Sequence, residues 1–333
     1  MDSNSKPTLI DDVDVTKPIK LPKMGGLPDS WHQFQKNDIH AINTAMHIQR
    51  PLLIRGEPGL GKSQIAHAIA ACMNWNLLVH VVHARTEPSD LLYRIDHVKR
   101  LAKAQIISAE AKVEQTPNIE QKLRQLDEEN YVLPGKFWWA FDPENARDFY
   151  QDSVAGYGSA ITEDIKSDRP SVLLIDEIDK ADSELPNALL EVLNNKSFQL
   201  PVGDKRIECN EQSPPFIVIT SNDERSLPHA FLRRCVCHTL TLGKDKGGEE
   251  QLIEVAQAHQ KGNNNLRKIN DHIIQKAAQM TIEARERTQE HQYRPGTSEF
   301  LDLLKAISHD SYENDAERKQ ALDDISTFLL EKA

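Results

Sequence analysis

Apolar runs of strand length alternate with helical patterns along the first two thirds of the chain. Five of these runs predict buried strands, at residues 51–55, 77–83, 172–175, 216–220 and 236–242. Apolar positions at helical spacing predict helices at residues 31–47, 61–72 and 184–194. This repeated order is typical of a parallel sheet covered by helices, so we expect an α/β fold.

The stretch between the second and third predicted strands is about ninety residues long, and a connection of that length normally holds structure of its own. We expect an insertion at about residues 89–160, which opens with a helix over residues 89–107. It closes on an aromatic cluster at residues 137–141, beside which Pro134 and Gly135 predict a hairpin. Two interpretations of the aromatics stay open: a protruding hairpin that grips a partner, or a hydrophobic pad that fastens the insertion to the core. Burial preferences favour the pad.

The pattern changes after Gly243, where apolar residues recur at helical spacing in successive stretches and no further strand is predicted. At the other end, the polar and proline-containing residues 1–28 predict a segment that is either extended across a neighbouring surface or disordered. The sequence therefore predicts this N-terminal segment, an α/β core with its insertion at residues 29–243, and a small helical domain at residues 244–333.

Composition narrows the classes of protein that fit. The chain has 333 residues, of which 39% are hydrophobic and 27% charged, as in globular proteins. It has no apolar run of membrane-spanning length and no basic start followed by an apolar core, so we expect a cytoplasmic protein without a membrane partner. The formal net charge of -11 argues against charge-driven binding to nucleic acid. Cys235 and Cys237 lie close together in a strand-like run, which disfavours a zinc site.

A glycine-rich run lies between the first predicted strand and the helix after it. It consists of Gly56, Glu57, Pro58, Gly59, Leu60, Gly61, Lys62 and Ser63 and fits the P-loop pattern. Its glycines let successive backbone N–H groups surround a phosphate, to which the helix N-terminus adds its positive end. We expect Lys62 to reach the β- and γ-phosphates of a nucleotide and Ser63 to ligate Mg²⁺.

Polar residues follow three further elements of the predicted core. Asp176 and Glu177 end an apolar strand at the edge where open α/β sheets bind ligands. There Asp176 would hold Mg²⁺ through water, and Glu177 would polarise the water that attacks the γ-phosphate. Asn222 ends the next strand and either contacts that water or the γ-phosphate, or is a turn residue. Arg233 and Arg234 end a short predicted helix, where they are either functional or solvated charges.

In this order the pieces resemble the AAA+ ATPases, and within them the MoxR-like group that carries an insertion in the second helix of the core. The resemblance covers roughly residues 30–310. It implies a P-loop NTPase core with a small all-α lid, ATP and Mg²⁺ as cofactors, and a homo-oligomeric ring, a hexamer, with ATP between subunits. It also implies a protein client or effector as partner.

The same resemblance gives roles to individual residues. Asp176 and Glu177 match the family's Walker B strand, Asn222 its sensor 1, and Arg233 or Arg234 its arginine finger. The lid departs from the family pattern, because no arginine stands at residues 297–301, where a sensor 2 arginine is common. Arg294 is the nearest substitute.

The sequence leaves three functions in competition. The leading one is an ATP-hydrolysing motor or chaperone of MoxR-like type. The second is a nucleotide-gated binding module whose slow hydrolysis times assembly with a partner. The third is a GTPase or nucleic-acid translocase, because residues 222–227 partly match the signature of modification-dependent restriction GTPases.

Overall fold

The computed structural model describes most of the chain, namely residues 10, 14–15, 17–27, 30–113, 123–154, 165–261, 266, 269–288, 293–309, 312 and 314–331. The strands among these residues are β1 (Ile19–Leu21), β2 (Ser30–His32), β3 (Leu52–Arg55), β4 (Asn76–Val81), β5 (Tyr93–Ile95), β6 (Val132–Pro134), β7 (Ser171–Asp176), β8 (Ser197–Gln199), β9 (Arg206–Glu208), β10 (Phe216–Ser221) and β11 (Val236–Thr239).

The helices cover both faces of the sheet and form the C-terminal region. They are α1 (Lys36–His47), α2 (Lys62–Met73), α3 (Pro88–Leu92), α4 (His97–Val113), α5 (Lys136–Phe141), α6 (Pro143–Val154), α7 (Glu184–Asn195), α8 (His229–Leu232), α9 (Asp245–Gln260), α10 (Asp271–Arg287), α11 (Thr297–Ile307) and α12 (Asp315–Leu330).

Five of the strands form one parallel sheet in the order β11-β3-β10-β7-β4. Its central strands are almost wholly apolar because helices bury them on both faces. The register pairs Ile219 with Ile175 and Ser221 with Arg55, so the carboxyl ends of β3, β7 and β10 lie side by side. The α/β fold with its parallel sheet, its P-loop position and its C-terminal helices is confirmed.

Side-chain alternation along the strands builds a separate core on each face of the sheet. In β3, Leu52 and Ile54 pack with α1 and α2, whereas Leu53 packs on the opposite face with α5 and α7. The C-terminal helices α9 to α12 enclose a third core of their own, centred on Phe300 and Leu304.

The predicted hairpin at Pro134 and Gly135 is wrong. β6 ends at Pro134 and pairs in antiparallel fashion with β5, about forty residues earlier in the chain, and Gly135 is the residue before α5. A Cβ at Gly135 would lie 2.5 Å from the Leu91 carbonyl oxygen, so glycine is required there by a close backbone approach. The single helix predicted over residues 89–107 is also wrong, since β5 separates α3 from α4.

The aromatic residues of α5 face inward. Phe137 and Trp138 are fully buried and Phe141 almost so, because spacings of one and four residues put them on one side of a helix. The indole N–H of Trp138 donates to Asn145 Oδ1 at 2.9 Å, and its ring contacts Phe149. The Trp138 ring also packs against Phe198 of β8, outside the insertion, and this contact supports the pad interpretation for α5, with Trp139 half-buried beside it.

Trp138→Ala is expected to lower the free energy of unfolding by about 3–5 kcal/mol, the usual cost of truncating a fully buried Trp. The melting temperature should fall by several degrees. Trp139→Ala is the matched control, since its side chain is only half-buried and its loss should be smaller. Thermal unfolding of both variants measures the difference, and an unchanged melting temperature for Trp138→Ala would rule out the pad.

The described part of the N-terminal segment lies across α2 and β4. His67 of α2 is buried and its Nε2 lies 2.6 Å from the Pro22 carbonyl oxygen, while Gly25 packs against Leu77. The helix predicted over residues 31–47 begins only at Lys36, because β2 takes up its first residues. Residues 1–9, 11–13, 16 and 28, which the prediction of a disordered tail includes, lie outside the described residues.

Candidate nucleotide-binding site

The glycine-rich run connects β3 to α2, as predicted. Gly56, Gly59 and Gly61 all have positive φ, at 141°, 79° and 84°. At Gly56 a Cβ would lie 2.4 Å from the Leu240 carbonyl oxygen, which leaves no room for a side chain. α2 begins directly after Gly61, so its unpaired N-terminal N–H groups face the loop.

Lys62 is buried at the base of this loop. Its Nζ donates to the carbonyl oxygens of Gly56 at 2.8 Å and Glu57 at 2.7 Å. Burial lowers the pKa of Lys62, and nearby carboxylates, Asp176 foremost, oppose that shift. The two hydrogen bonds place the Lys62 ammonium group against the backbone of the loop.

Two hydroxyl groups meet on one carboxylate oxygen at the sheet edge. Ser63 Oγ donates to Asp176 Oδ1 at 2.7 Å, and Thr220 Oγ1 donates to the same oxygen at 2.6 Å. Hydroxyl and carboxylate oxygens are the ligands that Mg²⁺ prefers, so Ser63 and Asp176 fit that ion together with nucleotide phosphates and water. Sequence reasoning missed Thr220, whose position beside Asp176 depends on the pairing of β10 with β7.

Glu177 has a left-handed backbone, with φ of 61°, which is uncommon for a residue with a side chain. Its N–H donates to Thr220 Oγ1 at 2.8 Å. Its carboxylate accepts from Asn222 Nδ2 at 3.2 Å and forms an ion pair with Lys180. The hydrogen bond that Lys180 donates to Glu177 raises the pKa of Lys180. The two strand ends thus place Glu177 and Asn222 in contact, as a shared site requires.

Asp179 organises the loop after β10. It is almost fully buried and accepts from the backbone N–H groups of Asn222 at 3.1 Å and Glu224 at 2.9 Å. Its carboxylate therefore fixes the turn that points Asn222 at Glu177. Sequence reasoning gave Asp179 no role, although its place two residues after Glu177 was visible.

A cavity of about 330 Å³ joins these groups to the C-terminal helices. Its lining consists of Pro58, Gly59, Gly61, Lys62, Ser63, Gln64, Asp176, Glu177, Thr220, Asn222, Thr297, Ser298, Leu301, Asp302 and Lys305. The loop, both carboxylates and the sensor-position asparagine thus open onto one space that α11 closes from the other side.

A second cavity, of about 270 Å³, lies on the far side of the same loop, between β2, β11 and α9. Its walls include His32 and His259, whose pKa values burial lowers to about 4, so both rings are neutral at pH 7. Asp38 lines it too, with one oxygen 2.7 Å from His238 Nε2 and the other accepting from the Gln35 N–H.

The two predicted finger residues lie away from both cavities. Arg234 is bound within its own chain, through Nε to Asn194 Oδ1 at 2.9 Å and Nη1 to the Ala230 carbonyl at 3.0 Å. Arg233 is exposed, and its guanidinium has no hydrogen bond or ion pair to any residue that the structure describes. The structure therefore brings together every predicted site residue except these two arginines.

Two arginines of the C-terminal region contact Glu57 of the loop. Arg294 Nη1 lies 3.5 Å from Glu57 Oε1, and Arg285, which sequence reasoning did not single out, pairs with the other oxygen of Glu57. No local pattern could have indicated this pair, because 228 residues separate its members.

Among the described residues, no group of three or more His, Cys, Asp or Glu side chains is arranged to hold a metal ion by itself. Nor does any described helix combine the length and apolar character needed to cross a membrane.

Comparisons with known proteins give two kinds of similarity, to solved structures and to a family model. Two solved structures are similar over most of the chain, both at 16% identity. One is a single-residue mutant of RuvB from Thermotoga maritima, with a TM-score of 0.42, covering 88% of this chain and 71% of the other. The second is a proposed ATPase from Cytophaga hutchinsonii, with a TM-score of 0.37, covering 84% of this chain and 76% of the other.

A search of curated protein sequences found no significant match. The family model for the AAA domain of the dynein-related subfamily, however, matches residues 51–235, from the residue before β3 to the residue after the arginine pair. This match spans more than half of the chain and contains the P-loop, both carboxylates and Asn222, and the chain therefore belongs to the AAA domain family, dynein-related subfamily.

Proposed function

We propose that this AAA+ protein is a MoxR-like ATPase that binds and hydrolyses ATP with Mg²⁺ at the subunit interfaces of a ring. One observation carries the proposal: a P-loop lysine, a Ser and Asp pair and a Glu and Asn pair all line one cavity. These are the groups that phosphoryl transfer to water needs, namely phosphate binding, metal holding and water activation.

Each side chain has a separate task in this reaction. Lys62 would exchange its two loop carbonyls for phosphate oxygens, and Ser63 and Asp176 would hold Mg²⁺. When bound, the ion neutralises developing charge on the phosphates. Glu177 accepts a proton from the attacking water, and Asn222 keeps the Glu177 carboxylate oriented.

The surroundings of Arg233 support a ring. An exposed guanidinium without a partner among the described residues, directly after α8, is free to enter a neighbouring subunit's site. In a closed ring each subunit gives this arginine to the next, which makes the interface heterologous. We propose a homo-oligomeric ring, a hexamer, in the cytoplasm, where ATP is available, acting on a protein client.

We propose that the chain divides into an N-terminal segment at residues 1–28, a core at 29–243 with an insertion near 89–160, and a lid at 244–333. The separate hydrophobic core of α9 to α12 supports a lid that moves as one body.

The second candidate, a binding module with slow hydrolysis, is favoured by one contact. Lys180 forms an ion pair with Glu177, which keeps the carboxylate occupied until a partner or a neighbouring subunit moves Lys180 away. Rates of phosphate release with and without a captured partner separate the two candidates. Only the binding module depends on its partner for turnover.

ATP is expected to displace a labelled nucleotide at concentrations at least about tenfold lower than GTP. Guanine offers N–H donors at its N1 and N2 positions, which a free carboxylate accepts well. On this proposal the base lies in the second cavity, which Leu60 and Gly61 of the P-loop also line. Among the described residues that line it, Asp38 is the one carboxylate, and both of its oxygens are already engaged. A competition titration tests this, with Lys62→Ala as the non-binding control, and a preference for GTP would assign the protein to the restriction-like class.

A further inference from the structure

The lid contacts the P-loop through a charged clasp. We use this name for Glu57 together with Arg285 and Arg294. Arg285 Nη2 donates to Glu57 Oε2 while its Nη1 donates to the Pro295 carbonyl oxygen at 3.2 Å, and only 12% of its side chain is exposed. Arg294 approaches the second oxygen of Glu57 at 3.5 Å. Both oxygens of a P-loop carboxylate are therefore held by arginines of the lid.

The lid also grips the backbone next to Glu57. The N–H and the hydroxyl group of Ser298, in the first turn of α11, both donate to the Gly59 carbonyl oxygen at 3.2 Å. A Cβ on Gly59 would lie 2.5 Å from Ser298 Oγ, so the contact is tight. Gly296 also lies over the loop, its Cβ position 3.3 Å from the Pro58 carbonyl oxygen. Residues 57–59 are thus fixed from one side by the lid.

This grip determines where backbone N–H groups point. The carbonyl and N–H of one trans peptide point in opposite directions. Holding the Gly59 carbonyl towards Ser298 therefore holds the Leu60 N–H away from Ser298. Backbone N–H groups are what a P-loop offers to phosphate, so the orientation of this peptide bears directly on nucleotide affinity.

We propose that Arg285 is a positioning residue for nucleotide phosphates, acting through Glu57: the clasp docks the lid and holds the P-loop in its phosphate-binding shape. The inference rests on the proposed function for its consequence, whereas the clasp itself is a set of contacts among the chain's own residues. Because coupling is reciprocal, nucleotide binding then favours a docked lid, and a subunit or client that displaces the lid weakens nucleotide binding.

A purely electrostatic role predicts a different result from a positioning role. If Glu57 acted only through its charge, its removal would strengthen the binding of an anionic nucleotide, and removal of Arg285 would weaken it. If the clasp orients the loop, both substitutions weaken binding, and the double variant is no worse than either single variant because the same contact is lost once.

Equilibrium titration with Mg²⁺ and a non-hydrolysable ATP analogue distinguishes these roles. Glu57→Gln and Arg285→Gln are each expected to raise the dissociation constant about tenfold, and the double variant by about the same factor. Arg285→Lys keeps the positive charge but lacks the two Nη groups that contact Glu57 and Pro295 together, so we expect about a threefold rise in the dissociation constant. Arg287→Gln is the matched control, because it removes an exposed arginine from the same helix and should bind as wild type. Tighter or unchanged binding by Glu57→Gln overturns the proposal.

Hydrogen exchange in the nucleotide-free protein provides a readout independent of ATP. The Ser298 amide, bonded to the Gly59 carbonyl, should exchange at least about tenfold faster in Glu57→Gln and Arg285→Gln than in wild type and Arg287→Gln. Equal exchange in all four proteins overturns the clasp. If wild-type protein exchanges as expected but does not bind the ATP analogue, the proposed function fails and the clasp stands.

Discussion

Glu177→Gln is expected to bind ATP as wild type does but to release phosphate roughly 10³-fold more slowly, a loss within the range for removal of a general base. Glutamine has nearly the same shape as glutamate, so the packing of the strand end should persist. The glutamine amide, however, lacks the carboxylate that accepts a proton from the attacking water. Lys62→Ala should fail at the earlier step, because Lys62 is placed to contact phosphate rather than water.

Nucleotide titration and phosphate release, measured on the same preparations, separate the two effects. Glu184→Gln is the matched control, since Glu184 is an exposed carboxylate seven residues further along the chain and should leave both quantities unchanged. Equal ATP affinity in wild type and Lys62→Ala would contradict the P-loop assignment. Normal turnover by Glu177→Gln would remove the proposed base.

The sequence was most informative where structure is local. Apolar strands buried on both faces are visible in the sequence as short apolar runs. Residues 56, 59 and 61 have positive φ, a backbone conformation that favours glycine, and glycine stands at all three. Because parallel strands end at one sheet edge, residues after β7 and β10 could be expected to meet, and Glu177 and Asn222 do lie in contact.

Contacts between distant segments were not predictable in this way. The strand partner of β6 is β5, not the residues after Gly135, and the inward-facing aromatics of α5 pack in a helix instead of a hairpin. Thr220 and Asp179 act on neighbours more than forty residues away, and their types are common in unremarkable turns and strands. Such roles depend on which distant segments lie side by side in the fold, and the spacing of residues in a single sequence does not indicate that.

Arg233→Ala is expected to bind ATP normally and to hydrolyse it on the order of 10³-fold more slowly, if Arg233 stabilises charge as arginine fingers of other NTPases do. Arg234→Ala is the matched comparison. The Arg234 guanidinium is already bound to Asn194 and to the Ala230 carbonyl, so its loss should act on stability more than on turnover. A larger loss of turnover in Arg234→Ala than in Arg233→Ala would reverse the assignment.

Mixing two inactive variants tests whether Arg233 acts on a neighbouring subunit. When Arg233→Ala and Glu177→Gln subunits assemble at random in equal amounts, an interface works if the first holds ATP and the second supplies the arginine. Each condition is met half of the time, so about a quarter of interfaces regain both groups. Some ATPase activity should therefore return, although less if the ring hydrolyses ATP in a coordinated sequence. A mixture that stays inactive while its subunits demonstrably exchange would show that Arg233 does not act in trans.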